Sequence, residues 1–110
     1  MEFLTRHFGT AVLVTLEGHL TVTTLAELRQ GISAALAEGG TTVVLDCRRT
    51  EYIDTAGLAA LVQLAQELER GGGAVRLAAL NEDLQGMVEL ARANTVLQLF
   101  PDADAALAEY

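Results

Sequence analysis

The sequence predicts an α/β fold: one domain over residues 1–110, with a mixed sheet of four to five strands, about four helices and an N-terminal β-hairpin. Short runs of β-branched and aliphatic residues alternate with segments whose apolar residues recur at helical spacing. Glycines separate the two kinds of segment, and 110 residues suit a single domain. Strands that alternate with helices are expected to be parallel, and the hairpin adds an antiparallel strand.

The N-terminal part of the chain predicts a hairpin followed by a helix. Residues 2–8 and 11–16 are expected to form the two strands, and the second strand is expected to end in a turn at residues 17–19. Thr24 and Glu27 have the spacing of a capping box, in which a Thr hydroxyl and a Glu carboxylate satisfy free N–H groups. A helix is therefore expected to begin at Thr24.

The centre of the chain predicts a buried strand, a polar loop and a long amphipathic helix. Val43, Val44 and Leu45 form an apolar run typical of a central strand covered on both faces. A loop is expected after Asp46, and a helix from about residue 57 to residue 70. The apolar positions of this helix recur at helical spacing and form one stripe: Leu58, Leu61, Val62, Ala65 and Leu68.

The last third of the chain predicts a strand, a capped helix, a short edge strand and a short final helix. Residues 74–78 form the next β-branched and apolar run, and Asn81 is positioned to cap the helix that follows. Residues 96–100 are expected to form an edge strand or a packing segment. Asp102 is expected to cap the final helix.

Composition argues against several classes of partner. The formal net charge is −8, with 15 acidic residues against seven Lys and Arg, so nucleic acid is not expected as a partner. No apolar run approaches the roughly 20 residues that span a bilayer, so membrane insertion is not expected. The N-terminus lacks the pattern of a signal peptide, which favours a cytoplasmic protein.

The residues that carry most enzyme and metal chemistry are sparse. His7 and His19 lack a partner pattern of Cys, Asp or Glu, and the single Cys47 has no accompanying His and Asp, so no metal and no cofactor are expected. Thr55 beside Asp54 has no His or Lys at a recognisable spacing to serve as a base. We therefore expect no catalytic residue and no enzyme; the rival interpretation is a small nucleotide-binding or hydrolytic domain that uses Asp54 and Thr55.

Asp54 and Thr55 lie where the central helix is expected to begin. Free N–H groups and the positive end of the helix dipole favour an anion at such a position. From the residues alone, either side chain can be a simple helix cap, or the hydroxyl can be a contact point for another molecule. The two roles are compatible.

Residues 43–58 resemble the signature of the STAS domain family, which includes bacterial anti-sigma-factor antagonists and sulfate transporters. In that signature a strand ends in an Asp, here Asp46, and an aromatic–aliphatic pair follows, here Tyr52 and Ile53. The signature then continues into a helix through an Asp-hydroxyl-small-Gly-Leu run, which here consists of Asp54, Thr55, Ala56, Gly57 and Leu58. The likeness extends over essentially the whole chain and implies a STAS-like fold.

The resemblance implies a role in partner switching and transcription regulation. An unphosphorylated antagonist of this family binds an anti-sigma factor that is also a serine/threonine kinase. Phosphorylation of the hydroxyl residue after the Asp, here Thr55, releases it, and a phosphatase restores binding. By position, the resemblance assigns partner binding to seven residues: Asp54, Thr55, Ala56, Gly57, Leu58, His19 and Thr21.

Two positions depart from the family pattern. Thr55 replaces the commoner Ser, and residues 18–21 read Gly-His-Leu-Thr where antagonists usually carry Gly-Glu-Leu-Asp. Other assemblies use the same fold, so two alternatives stay open: the STAS subunit of a phospholipid-transport ABC system, which docks on the ATPase, and a stressosome-type scaffold. Association between two copies of the chain is expected to be weak at most.

Overall fold

Five strands form one mixed sheet, in the order in which they occur along the chain. The computed structural model describes residues 2–108. Strand β1 is antiparallel to β2, and every other neighbouring pair is parallel, so the expected mixed sheet with an N-terminal hairpin is confirmed. The strands are β1 (Glu2–Phe8), β2 (Ala11–Leu20), β3 (Thr42–Ile53), β4 (Ala74–Ala78) and β5 (Gln98–Phe100).

Four α-helices connect or follow the strands, and two of the expected caps are present. The Asn81 side chain accepts a hydrogen bond from the Leu84 N–H at 2.8 Å, and the Asp102 side chain accepts one from the Ala105 N–H at 2.7 Å. Each cap satisfies an N–H group that the helix itself leaves free. The helices are α1 (Leu25–Ala37), α2 (Thr55–Arg70), α3 (Glu82–Leu90) and α4 (Ala103–Ala106), with a 3₁₀ turn at Ala93–Thr95.

The helices cover the two faces of the sheet unequally. Apolar side chains of α1, α2 and α3 pack with Val43 and Leu45 in the main core. On the opposite face Val44 packs with Ala78 of β4 and Ala106 of α4. None of the three β3 side chains is exposed, so the prediction of a central strand covered on both faces is confirmed.

A buried arginine fixes α4 to the sheet. The Arg76 guanidinium donates to the Ala106 carbonyl at 2.8 Å and to the Gln98 side-chain oxygen at 2.9 Å. It also lies over the Phe100 ring, 5.0 Å from the ring centroid. These contacts hold α4 over β3, β4 and β5, and Leu13 of β2 packs at the edge of the apolar cluster beneath α4.

Strands β2 and β3 run further than their sequence pattern predicts. The turn expected at residues 17–19 and the loop expected after Asp46 are both wrong, because the two strands stay paired up to Leu20 and Ile53. The ladder shifts register twice, between Thr15 and residue 17 and again after Gly18, whose φ is +101°. Such bulges break the alternation of buried and exposed residues by which a strand is recognised.

The start of α1 differs from the capping box that the sequence predicts. Thr24 precedes the helix, but its backbone is helical (φ −104°, ψ −9°) and its side chain makes no capping bond. Its hydroxyl instead accepts from the Thr21 N–H at 2.9 Å and donates to the His19 carbonyl at 3.0 Å. Thr24 therefore holds the β2–α1 loop together, and the capping-box expectation for Thr24 and Glu27 is wrong.

The single cysteine lies inside the central strand. The Cys47 side chain is 1% exposed, and its Sγ donates to the Leu45 carbonyl at 3.7 Å. Burial raises the pKa of this thiol to about 12, because the charged thiolate is disfavoured away from water. Cys47 is therefore a neutral packing residue of β3.

Candidate functional site

The candidate site forms where the ends of β2 and β3 meet the beginning of α2. The Asp54 N–H donates to the Leu20 carbonyl at 3.0 Å, which joins the last residue of β2 to the residue just after β3. The β2–α1 loop starts at the same point. The loop and the first turn of α2 therefore form one continuous surface at the end of the sheet.

Asp54 connects the two parts of this surface. Its backbone is extended (φ −83°, ψ 176°), as is usual for a residue that caps a helix. One carboxylate oxygen accepts from the Gly57 N–H at 2.7 Å, and the other accepts from the Val22 N–H at 3.3 Å. The carboxylate thus caps α2 and also holds the β2–α1 loop against it.

Thr55 is the first residue of α2, two positions before the start that the sequence predicts, and it is exposed. Its side chain makes no hydrogen bond to another residue within the described part of the chain. Because Asp54 is the cap, the hydroxyl of Thr55 is left facing solvent. Apart from the Asp54 cap, the start of α2 carries no acidic residue in its first turn, so part of the preference of this helix start for negative charge remains.

Gly57 allows α2 to approach the sheet closely. A Cβ atom at this position would lie 2.8 Å from the Leu20 carbonyl oxygen and 3.2 Å from Cγ2 of Ile53. Both Gly57 and Leu58 are buried, and Leu58 is only 6% exposed. Gly57 and Leu58 therefore fix the position of the first turn of α2 against the sheet, and little of either residue is accessible to solvent.

His19 and Thr21, the other predicted site residues, lie on the neighbouring strand end and loop. The His19 ring nitrogen Nε2 lies 3.1 Å from a carboxylate oxygen of Glu51, and its ring meets the Tyr52 ring edge to face with centroids 6.1 Å apart. The hydroxyls of Thr21 and Thr23 are 2.8 Å apart and share a hydrogen bond. The structure thus brings the predicted residues from both segments to one end of the sheet.

Two exposed apolar side chains on this surface are not among the site residues that the sequence predicts. Val22 is 68% exposed and Tyr52 is 50% exposed, and they are two of the four large apolar side chains exposed in the described part of the chain. Tyr52 was recognisable as the aromatic residue of the motif. Val22 lies in a threonine-rich loop, and no pattern in the sequence singles it out.

The rest of the described chain offers little other site chemistry. Within residues 2–108, no group of three or more His, Cys, Asp or Glu side chains is arranged to hold a metal ion. None of the helices in this range combines the length and the apolar character needed to cross a membrane. The arrangement at Thr55 is that of an exposed hydroxyl on a rigid support, which suits binding and modification.

The chain matches the model of a known protein family. The chain matches the family model described as "Mlab, STAS domain" over residues 3–100. No curated protein matches the chain in sequence.

Solved structures with the same fold include regulators and part of a transporter. An anti-sigma factor antagonist from Mycobacterium paratuberculosis has 22% sequence identity and a TM-score of 0.85, over 98% of this chain and 92% of that one. The anti-sigma factor antagonist SpoIIAA in its unphosphorylated form has 18% identity and a TM-score of 0.82, over 98% and 95% of the two chains. SpoIIAA, the Bacillus cell fate determinant, matches in its phosphorylated form with a TM-score of 0.77 at 18% identity, over 98% of each chain.

The transporter is the murine Solute Carrier 26 family member A9, an anion transporter. It has 18% identity and a TM-score of 0.78, over 94% of this chain and only 18% of that one. At such low identity these likenesses show a shared fold, and this fold occurs in proteins with different roles.

Proposed function

Because this chain belongs to the STAS domain family, we propose that it is an anti-sigma-factor antagonist whose binding is controlled by the charge on Thr55. In its unphosphorylated state it binds an anti-sigma factor that is also a serine/threonine kinase. Phosphorylation of Thr55 releases it, and a phosphatase restores binding. The observation that carries the proposal is the solvent-facing Thr55 hydroxyl at a helix start that Asp54 already caps.

A phosphate at Thr55 is compatible with the fold. It adds about −1.5 to −2 charges at a helix N-terminus, where negative charge is favourable by about 0.3–1 kcal/mol. The phosphate has room, since Thr55 is exposed and the neighbouring Asp54 carboxylate is held in hydrogen bonds to the Gly57 and Val22 N–H groups. The domain is therefore expected to stay folded after modification.

The same phosphate is unfavourable in an interface. A partner docked on Thr55 must remove water from the phosphate or place a like charge near it. Two like unit charges about 4 Å apart, at an effective dielectric constant of about 20, cost about 4 kcal/mol before screening. Since about 1.4 kcal/mol is a tenfold change in affinity, a cost of this size is enough to separate the complex.

The burial of the predicted residues divides their roles. Thr55, Ala56 and His19 are exposed, and Asp54 and Thr21 are half-buried, so these residues supply the contact surface. Gly57 and Leu58 are buried, so these two residues support the surface from the interior. We include Val22 and Tyr52 among the contacts because an exposed apolar side chain beside a polar switch provides binding energy.

A second candidate function is docking on the ATPase of a phospholipid-transport ABC system through the same surface. One observation favours it: His19 and Thr21 stand where antagonists usually carry Glu and Asp, so the rim of the surface is less acidic than in those proteins. A stressosome-type scaffold would also use this surface. These roles need an uncharged Thr55 but no kinase.

The test is phosphorylation by anti-sigma kinases encoded in the same genome, supplied with ATP and read by intact mass. We expect one phosphate, which is lost in Thr55→Ala. Thr23→Ala is the matched control, because Thr23 is a nearby exposed threonine, and this variant should still be modified. Binding should survive in Thr55→Ser and be lost in Thr55→Glu.

Three outcomes separate the candidates. A phosphate that persists in Thr55→Ala contradicts the proposed site. Tight binding of a kinase that never modifies the chain contradicts the switch. Binding to a transport ATPase that Thr55→Glu disrupts, with no modification by any kinase, favours the second candidate.

A further inference from the structure

The outer edge of β1 is a long strand edge with an exposed leucine near its middle. Strand β1 ends the sheet on one side and has seven residues, whereas β5, at the other edge, has only three and is followed by Pro101. Leu4 is 73% exposed and lies on the same face of the sheet as α4, whose contacts are mainly with β3, β4 and β5. A long edge of this kind can accept another strand.

The hairpin determines which backbone groups of β1 face outward. Gly9, with φ +62°, occupies the first central position of the two-residue turn, as in a type II′ turn, so Phe8 and Ala11 form a hydrogen-bonded pair. Hydrogen-bonded and non-bonded pairs alternate along an antiparallel ladder. Leu4 therefore directs its N–H and C=O toward β2, while Phe3 and Thr5 direct theirs away from the sheet.

We propose that two copies of the chain associate through β1, antiparallel, about a two-fold axis at Leu4. In this register Phe3 of each copy exchanges backbone hydrogen bonds with Thr5 of the other. The two five-stranded sheets then form one continuous sheet. This use of an edge strand is independent of Thr55.

The charges and apolar groups of β1 select this register and favour a second copy as the occupant. Leu4 of one copy meets Leu4 of the other in a non-bonded pair, in which side chains are closest. In this register Arg6 of one copy does not face Arg6 of the other, so these two like charges stay apart. A two-fold axis at Thr5 would instead place the apolar Leu4 of one copy opposite the charged Arg6 of the other, which is a poorer pair. A strand that complements itself in this way suits an isologous dimer.

The dimer is expected to be weak. The contact joins one strand of seven residues to its copy. The surface that it buries is therefore smaller than the roughly 1,200–2,000 Å² that stable complexes bury. We therefore expect an equilibrium between monomer and dimer that shifts over about a hundredfold range of protein concentration.

Analytical ultracentrifugation of the whole chain over that range tests the proposal. Dimerisation should be lost in Leu4→Lys, because two like charges would meet at the axis. Leu90→Lys is the matched control: Leu90 is an equally apolar residue, 88% exposed on α3, and its replacement should leave the dimer unchanged. Leu4→Glu alone should also be monomeric, whereas an equimolar mixture of Leu4→Lys and Leu4→Glu should dimerise again.

Amide NMR locates the contact. As concentration rises, the amides of Phe3 and Thr5 should gain protection from hydrogen exchange, and the amide of Leu4, already bonded to β2, should not change. A chain that stays monomeric, or that dimerises with Leu4→Lys unaffected, overturns the proposal. Thr55→Ala should dimerise like the unmodified sequence, so this result is separate from the fate of the Thr55 switch.

Discussion

The N-termini of α2 and α3 have the same kind of cap but different first turns. Asp54 and Asn81 are both extended, and each accepts a hydrogen bond from the N–H three residues later, at 2.7 and 2.8 Å. The first turn of α3 contains Glu82 and Asp83, whereas that of α2 contains no acidic residue. Since a helix start favours negative charge, α3 meets this preference with two carboxylates in its first turn, whereas α2 meets it with the carboxylate of its Asp54 cap.

The two helix starts also differ in how firmly they are held. The carboxylate of Asp54 reaches a second element through Val22, and Gly57 places α2 directly against the end of β2. The glycine of α3, Gly86, lies five residues after the Asn81 cap and has no described atom within 4 Å of the position of an added Cβ. A cap is therefore enough to start a helix, whereas a binding surface also requires a fixed position and a first turn without acidic side chains of its own.

The largest difference between the two helices is expected from their glycines. Gly57→Ala should destabilise the fold by about 1–3 kcal/mol, because its Cβ would meet the Leu20 carbonyl, which cannot move aside easily. Gly86→Ala should stabilise it by about 0.5–1 kcal/mol, since alanine is the better helix former and space is available. Urea unfolding measures both, and equal effects of the two changes would remove the distinction between the helix starts.

An intermediate difference is expected from the caps. Asn81→Ala should cost about 1 kcal/mol, the usual price of an N-cap. Asp54→Ala should cost more, up to about 2 kcal/mol, because it also releases the β2–α1 loop at Val22. Hydrogen exchange at the Val22 amide should speed up in Asp54→Ala and stay unchanged in Asn81→Ala. An unchanged Val22 amide in both variants would show that Asp54 does not hold the loop.

The smallest difference is expected from the first residues of the helices. Thr55→Glu should raise the free energy of unfolding by about 0.3–1 kcal/mol, and Glu82→Thr should lower it by a similar amount, since a charge is added to one helix start and removed from the other. Thermal unfolding at low salt measures both changes, and added salt should reduce them. Destabilisation by Thr55→Glu would argue against a phosphate at this position being compatible with the fold.

Periodicity in the sequence predicted most of the elements but not the ends of β2 and β3. The order of strands and helices follows from apolar spacing and glycines, and the Asn81 and Asp102 caps follow from short-range chemistry. The extension of the paired strands to Leu20 and Ile53 could not be predicted in the same way. Its side chains are mostly polar, and the bulges remove the period of two that marks a strand.

The candidate site was predictable as a motif but not as an arrangement. The sequence placed Asp54 and Thr55 at a helix start, yet both residue types can cap a helix, so only the structure assigns the cap to Asp54. The same ambiguity led to the wrong capping box at Thr24, whose hydroxyl bonds within the loop. The tether from Asp54 to Val22 joins residues 32 positions apart, a contact that no local pattern reveals.

The buried thiol of β3 provides a built-in probe of unfolding, because its reaction with a thiol reagent can be measured. Cys47 is the single cysteine of the chain, and burial keeps it protonated and out of reach of thiol reagents at neutral pH. A reagent can therefore react only with molecules in which the middle of the sheet has opened, and the extent of labelling measures how often that happens. Energetic comparisons between variants can thus be made without attaching a dye or a tag.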